Sequence, residues 1–197
     1  MLPNHASPNV ARVISNSQND FGLGVSDNRG LVAYSFDHTL LCRRTEDLGV
    51  IWTRQIEPQL NAYRVAVSAR GSHVAAATAD GGFTPFEQHV SYIAIYSGET
   101  GRDVARLPQS GTEGIALSPD GDLIAVVARE TGRKGDVVPT VRIYETLSGR
   151  ELASVAHDRV ESKRRQFLEA GCTVAFTSDG QYLVTSGMTT KVWKIGE

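Results

Sequence analysis

Three acidic residues are the strongest candidates for chemistry in this chain. Asp20, Glu113 and Glu169 each stand just before a short apolar run that favours a β-strand. Carboxylate oxygens are the ligands that a hard cation such as calcium prefers, so these side chains would form a cation site if the fold brought them together. Such a site favours a metal-dependent hydrolase, although three acids on loops are also what chance supplies.

Signatures of other enzyme classes are absent from the sequence. It contains no phosphate-binding loop, no His-Glu-x-x-His zinc motif, no cysteine pairs with zinc spacing and no Gly-x-Ser-x-Gly nucleophile elbow. The histidines stand singly at non-equivalent places. We therefore expect a non-catalytic protein without a cofactor or a metal, and the metal-dependent hydrolase remains the alternative.

A second group of residues is suited to binding. Segment 81–89 carries two aromatic residues around a proline, segment 129–136 is charged and rich in glycine, and segment 158–170 is typical of a short helix with a basic face and a narrow apolar stripe. The candidate partner-binding residues are Phe83, Phe86, Arg129, Arg133, Lys134, Lys163, Arg164, Arg165 and Phe167.

The chemistry of these candidates favours another protein or peptide as the partner, with an acidic one fitting the basic residues. Exposed aromatic side chains are common interface anchors. The alternative is that Phe83 and Phe86 fold down over their own sheet and that the basic side chains are simply solvated. Nucleic acid is disfavoured because the basic residues are not interleaved with aromatic stacking platforms.

Repeated β-hairpins are the elements that must position these segments. Each of four segments has an apolar strand, a tight turn and a second apolar strand, with the turn glycine at Gly30, Gly71, Gly121 or Gly180. Three of them are followed by another hairpin whose turn ends at Gly49, Gly101 or Gly149. A period near 40 residues is typical of propeller blades.

The spacing of these glycines shows which connections are longer than the others, and all the longer connections lie on one side of the repeat. They fall between the second and third strands of units two and three, and between units three and four. Strands in such a unit alternate in direction, so these connections leave from the same end. Insertions that collect on one face of a repeat protein mark its binding face.

The repeat resembles the WD-repeat β-propeller family, especially its bacterial members. The matching residues are the Ser-Pro-Asp-Gly turn at 118–121 with its variants at 27–30, 68–71 and 177–180, the Ser-x-Asp-x-Thr link at 35–39, and Lys-Val-Trp at 191–193. The resemblance begins at Phe21 and implies that Asp37, His157 and Trp193 pack inside blades. The family's tryptophan position holds Arg43, Tyr96 and Tyr144 in the other units.

The sequence thus predicts an all-β propeller of four-stranded antiparallel blades with four recognisable repeats. Residues 1–20 form a lead-in, in which 10–14 could close the ring, and residues 21–197 form the blades; unit four lacks a fourth strand. Three arrangements stay open. The chain closes a small ring through 10–14, it is part of a larger propeller, or a second copy or another protein completes the ring. An open array would expose strand edges and predicts self-association.

Composition narrows the remaining function classes. The net charge of −2 favours neither nucleic acid nor a membrane surface, and no apolar run approaches the length of a membrane span. No signal peptide is visible, so we expect a cytoplasmic protein. Cys42 and Cys172 fall in different strand positions of their units, which predicts two reduced packing thiols.

Overall fold

The computed structural model describes residues 22–26, 28–36, 38–58, 60–80, 91–109, 111–131, 137–157, 172–187 and 189–196. The regular elements in these ranges are β-strands arranged in four antiparallel sheets. The predicted all-β class and the four-fold repeat are therefore confirmed. Within the same ranges, no helix has the length and apolar content to cross a membrane.

Each sheet is a simple meander of consecutive strands. Sheet 1 contains β1 (Leu23–Val25), β2 (Leu31–Phe36), β3 (Thr39–Arg44) and β4 (Val50–Gln55). Sheet 2 contains β5 (Leu60–Val67), β6 (His73–Asp80), β7 (Tyr92–Ser97) and β8 (Asp103–Pro108). Sheet 3 contains β9 (Thr112–Leu117), β10 (Leu123–Thr131), β11 (Val137–Glu145) and β12 (Glu151–Ala156). Sheet 4 contains β13 (Thr173–Phe176), β14 (Tyr182–Ser186) and β15 (Thr190–Lys194).

A serine or threonine organises the first turn of every sheet. In sheet 3 the Ser118 hydroxyl donates to Asp120 Oδ1 at 2.6 Å, and the same oxygen accepts from the amide of Asp122 at 3.1 Å. The bond from Ser118 holds the pKa of Asp120 below its ordinary value. Thr177 and Asp179 repeat the arrangement in sheet 4, with a hydroxyl-to-carboxylate distance of 2.5 Å. The Ser-Pro-Asp-Gly motif therefore stabilises the turn through these hydrogen bonds.

Most turn glycines have the backbone conformation that the sequence predicted. Gly71, Gly101 and Gly121 all have a positive φ, which glycine adopts without a steric penalty. The second turn of sheet 1 differs, because Leu48 carries the positive φ of 58° and Gly49 does not. The Asp47 carboxylate stabilises this turn by accepting from the Gly49 amide at 2.8 Å.

The sheets lie side by side in chain order, with their first strands β1, β5, β9 and β13 in contact one after another. Glycines permit this close approach. A Cβ atom at Gly24 would lie 3.0 Å from the backbone nitrogen of Val67, and one at Gly114 would lie 3.0 Å from the carbonyl oxygen of Cys172. Apolar clusters fill the spaces between successive sheets. Strand β10 is buried on both sides: Ile124 faces sheet 2 and Ala125 faces sheet 4.

The turns after the first and after the third strands of the sheets gather at one end of the array, which we name the turn end. The Asn28 amide donates to Ala69 O and the Arg70 amide donates to Pro119 O, both at 3.0 Å, so the first turns of sheets 1 to 3 lie side by side. The turn after each third strand is bound to the first turn of its own sheet, as shown by the Gly98 amide donating to Ser72 O at 2.8 Å. The connections that join sheets leave from the opposite end, the connection end.

Two sequence-based boundaries change in the structure. Strand β10 reaches Thr131, and strand β11 begins at Val137. Arg129 therefore belongs to a strand and lies opposite Pro139, and the second inserted segment is shorter than predicted. The predicted ring-closing strand at 10–14 lies outside the described residues and stays a prediction. Sheet 4 has three described strands, as expected, and the described sheets form an open row.

Both cysteines are free and buried, as predicted from their separate strand positions. Cys42 lies between sheets 1 and 2, and Cys172 lies between sheets 3 and 4. Burial raises the pKa of the Cys42 thiol to about 11. Cys42 is therefore protonated at neutral pH and packs as a small apolar side chain.

Candidate binding face

The structure places the starting points of all three inserted segments at the connection end. Segment 81–91 joins β6 to β7, segment 132–136 joins β10 to β11, and segment 157–172 joins β12 to β13. Because each sheet is antiparallel and the sheets share one orientation, these strand ends point the same way.

Most predicted binding side chains fall within those connections, outside the described residues. They are Phe83, Phe86, Arg133, Lys134, Lys163, Arg164, Arg165 and Phe167. The backbone of Arg129 is described, within β10. The side chains that the structure does define at the connection end therefore come from strand ends and from the described parts of the connections, among them β4–β5.

One defined cluster joins sheet 1 to sheet 2 at the connection end. Arg106 lies over the ring of Tyr92, 4.6 Å from the guanidinium carbon to the ring centroid, and its NH1 donates to Glu57 Oε1 at 3.1 Å. The Tyr92 hydroxyl donates to the same oxygen at 3.3 Å, and burial raises its pKa, so it stays protonated. The Arg106 side chain is 55% exposed. The cluster is thus a partly exposed aromatic–arginine surface in which the guanidinium has two partners.

A second cluster ties sheets 2, 3 and 4 together. Arg64 Nε donates to the carbonyl of Glu113 at 2.8 Å, and its guanidinium lies 5.6 Å from the centroid of the Tyr63 ring. The Glu113 carboxylate accepts from the amide of Cys172 at 3.1 Å. Glu113 therefore holds the entry of β13 in place, which is a positioning role.

The sequence alone did not single out Arg106, Tyr92 or Glu57. Arg106 lies opposite Ala94 in the β7–β8 pairing, which makes Tyr92 its diagonal neighbour on the same face of the sheet. That relation depends on the register of β7 on β8, whose pairing has an irregularity between Ile95 and Tyr96. The sequence feature that could have indicated this cluster is an aromatic residue at the start of one strand with a basic residue near the end of the next strand.

Two residues that the family resemblance assigned to packing are buried or hydrogen-bonded. His157 is 4% exposed, and its amide donates to Pro139 O at 2.7 Å. Trp193 Nε1 donates to Thr185 Oγ1 at 3.0 Å. Asp37, the third such residue, lies outside the described residues.

The first strands line a cavity of about 410 Å³ near the turn end. Its walls include Val25, Val67, Leu117 and Phe176, one from each sheet, and the described lining contains no ionisable side chain. A wall of this composition offers no general acid, base or charged ligand for hydrolysis at this point.

The acidic residues of the alternative cation site are only partly described. Glu113 uses one carboxylate oxygen for the Cys172 amide, whereas Asp20 and Glu169 lie outside the described residues. In the part of the chain that the structure describes, no three His, Cys, Asp or Glu side chains converge as cation ligands.

Calcium is expected to leave the melting temperature unchanged in the parent protein and in a variant with Asp20→Asn, Glu113→Gln and Glu169→Gln. The reason is that one Glu113 oxygen accepts from the Cys172 amide and that no three His, Cys, Asp or Glu side chains converge in the part of the chain that the structure describes. Thermal melts with millimolar calcium and with a chelator measure this. A rise in the parent's melting temperature that the variant loses would establish a cation site and favour the hydrolase.

Comparison with known proteins adds evidence on the fold alone. No family model matches the chain, and no curated protein matches it. A solved structure of KlHsv2 with loop 6CD replaced by a Gly-Ser linker is similar in fold, with a TM-score of 0.62 and 17% sequence identity. The similarity covers 88% of this chain and 52% of that chain. This chain therefore spans about half the length of the solved structure that it matches.

Proposed function

We propose that the protein is a β-propeller-type interaction module without catalytic activity, which binds another protein through its connection end. The observation that carries the proposal is the asymmetry between the two ends. The connection end is where the three long connections leave the sheets. The turn end consists of tight turns that bind one another through backbone hydrogen bonds, which leaves little surface to vary.

The side chains at the connection end suit an acidic protein partner. Basic residues outnumber acidic ones by one in two of the inserted segments, 129–136 and 158–170, and include Arg133, Lys134 and 163–165. Arg106, also at the connection end, is held over Tyr92, so little conformational entropy is lost when a partner binds it. Arginine and tyrosine are the residues most often found as binding hot spots.

Reversing four charges at the connection end is expected to lower the affinity for a protein partner by about tenfold or more, because such charges steer association and set partner choice. The variant carries Arg133→Glu, Lys134→Glu, Arg164→Glu and Arg165→Glu. Parent and variant are used as immobilised baits in one cell extract, and a protein held by the parent is purified and titrated calorimetrically at low and high salt. We expect weaker binding and a flatter salt dependence in the variant.

The matched control reverses charges at the turn end. Arg70→Glu and Arg150→Glu change exposed residues in the first turn of sheet 2 and the second turn of sheet 3. This variant should bind the same protein as tightly as the parent. If the turn-end variant loses binding while the connection-end variant keeps it, the proposed face is wrong.

A further inference from the structure

The contact between neighbouring sheets follows one rule along the whole row. On one face of each sheet, the residues seven and nine positions after the turn serine or threonine meet the next sheet. In sheet 2 these are Ala75 and Ala77, which are 0% and 1% exposed. In sheet 3 they are Ala125 and Val127, both 0% exposed. Each pair is buried in the apolar cluster that it shares with the following sheet.

Sheet 4 presents the same face, and no other sheet in the described part of the chain packs on it. The equivalent residues are Val184 and Ser186, which are only partly buried. Val192, the pairing partner of Val184 on β15, is 64% exposed. Its counterpart in sheet 2 is Ile95, which pairs with Ala75 and is 0% exposed. The difference in exposure agrees with the absence, among the described sheets, of a neighbour on this face of sheet 4.

Sheet 1 presents the opposite half of the same contact. In later sheets, the first-strand residue before the turn serine or threonine packs inward, and Leu117 of β9 is 7% exposed. Val25 is the equivalent residue of β1 and is 53% exposed, and Leu23 on the same face is 64% exposed. The third-strand residue on this face is Arg43, where sheets 2 and 3 have Tyr96 and Tyr144.

The charge of Arg43 is compatible with covering this face, because sheet 1 itself supplies its hydrogen-bond partners. Its Nε donates to the Tyr34 hydroxyl at 2.9 Å, and its NH1 donates to Leu48 O at 2.7 Å. A guanidinium with such partners is buried at a lower cost than one that loses its water without replacement.

We infer that a second copy of this chain covers both faces, with sheet 4 of each copy packed on sheet 1 of the other. The two faces are the complementary halves of a contact that the chain already makes three times within itself, so each copy carries one of each. Two copies related by a two-fold axis satisfy both faces and close into a ring of eight sheets, within the range of about four to eight seen in propellers. The similar solved structure, about twice as long as the matched region, agrees with this size.

The molar mass in solution tests this inference on the full chain. Light scattering after size exclusion, over a range of concentrations, should give twice the chain mass of 21.3 kDa. Val192→Glu and Val25→Glu each place a carboxylate on one of the two faces, and each should shift the protein to the single-chain mass. Circular dichroism melts confirm that both variants remain folded.

The control is Leu147→Glu, since Leu147 is 69% exposed but lies in a turn of sheet 3, away from both terminal faces. It should keep twice the chain mass. A parent of single-chain mass at every concentration overturns the inference and leaves the faces to another segment or another protein. Retention of twice the mass by either face variant also overturns it, because sheet 4 would then not meet sheet 1.

Discussion

Replacing Trp52 with alanine is expected to lower the free energy of unfolding by about 4 kcal/mol, which is in the range for removing a large buried aromatic side chain. Trp52 belongs to the last strand of sheet 1 and is 8% exposed. Its ring packs on Gly101 of sheet 2 and lies 6.1 Å from the ring of Tyr96, centroid to centroid. Its Nε1 donates to Gly98 O at 2.9 Å. Truncation would leave both a cavity and an unpaired carbonyl.

Two further substitutions separate the parts of this effect. Trp52→Phe keeps most of the ring and loses the hydrogen bond, so it should cost about 1 to 2 kcal/mol. Trp193→Ala is the matched control: that side chain is only partly buried and lies in the last sheet of the row, and the change should cost less. Urea unfolding followed by far-ultraviolet circular dichroism measures all three. Equal costs for Trp193→Ala and Trp52→Ala would contradict this assignment.

The contrast between these tryptophans shows what the sequence could predict. Trp193 stands at a motif position and was recognisable at once. Trp52 stands in an ordinary fourth strand, and nothing in its neighbours along the chain marks its contact with residues 98–101. Strands, turns and their order follow from local patterns of apolar residues and glycines, so they were predicted well. Contacts between sheets depend on how separate repeats dock, and the partner that a residue meets in the next sheet cannot be read from its own strand.

The candidate binding face was likewise predictable from the sequence only in part. The end of the array that carries the long connections follows from strand alternation, a topological rule that needs no coordinates. The cluster of Glu57, Tyr92 and Arg106 required the register of β7 on β8 and the path of the β4–β5 connection. Arg129 was assigned to a loop because its charged surroundings are typical of one, yet it continues β10 opposite Pro139.

Gly98→Ala is expected to destabilise the protein by about 3 kcal/mol, because a side chain there has no room. A Cβ atom at Gly98 would overlap the carbonyl oxygen of Gly71, and a backbone atom cannot move aside as a flexible side chain can. The Gly98 amide also donates to Ser72 O at 2.8 Å, and its carbonyl accepts from Trp52. A shift that relieves the overlap would disturb both bonds, and with them the docking of sheet 1 on sheet 2.

The control for this change is Gly180→Ala in the first turn of sheet 4. Gly180 has a positive φ of 72°, but a Cβ atom there would meet only Pro119, at an ordinary 3.4 Å. The control therefore measures backbone strain without overlap and should cost about 1 kcal/mol. Gly98 has no positive φ, so its cost comes from packing alone. Urea unfolding of both variants decides the matter: if Gly98→Ala is as stable as the parent, the close approach of the two turns in sheet 2 does not hold the sheets in register.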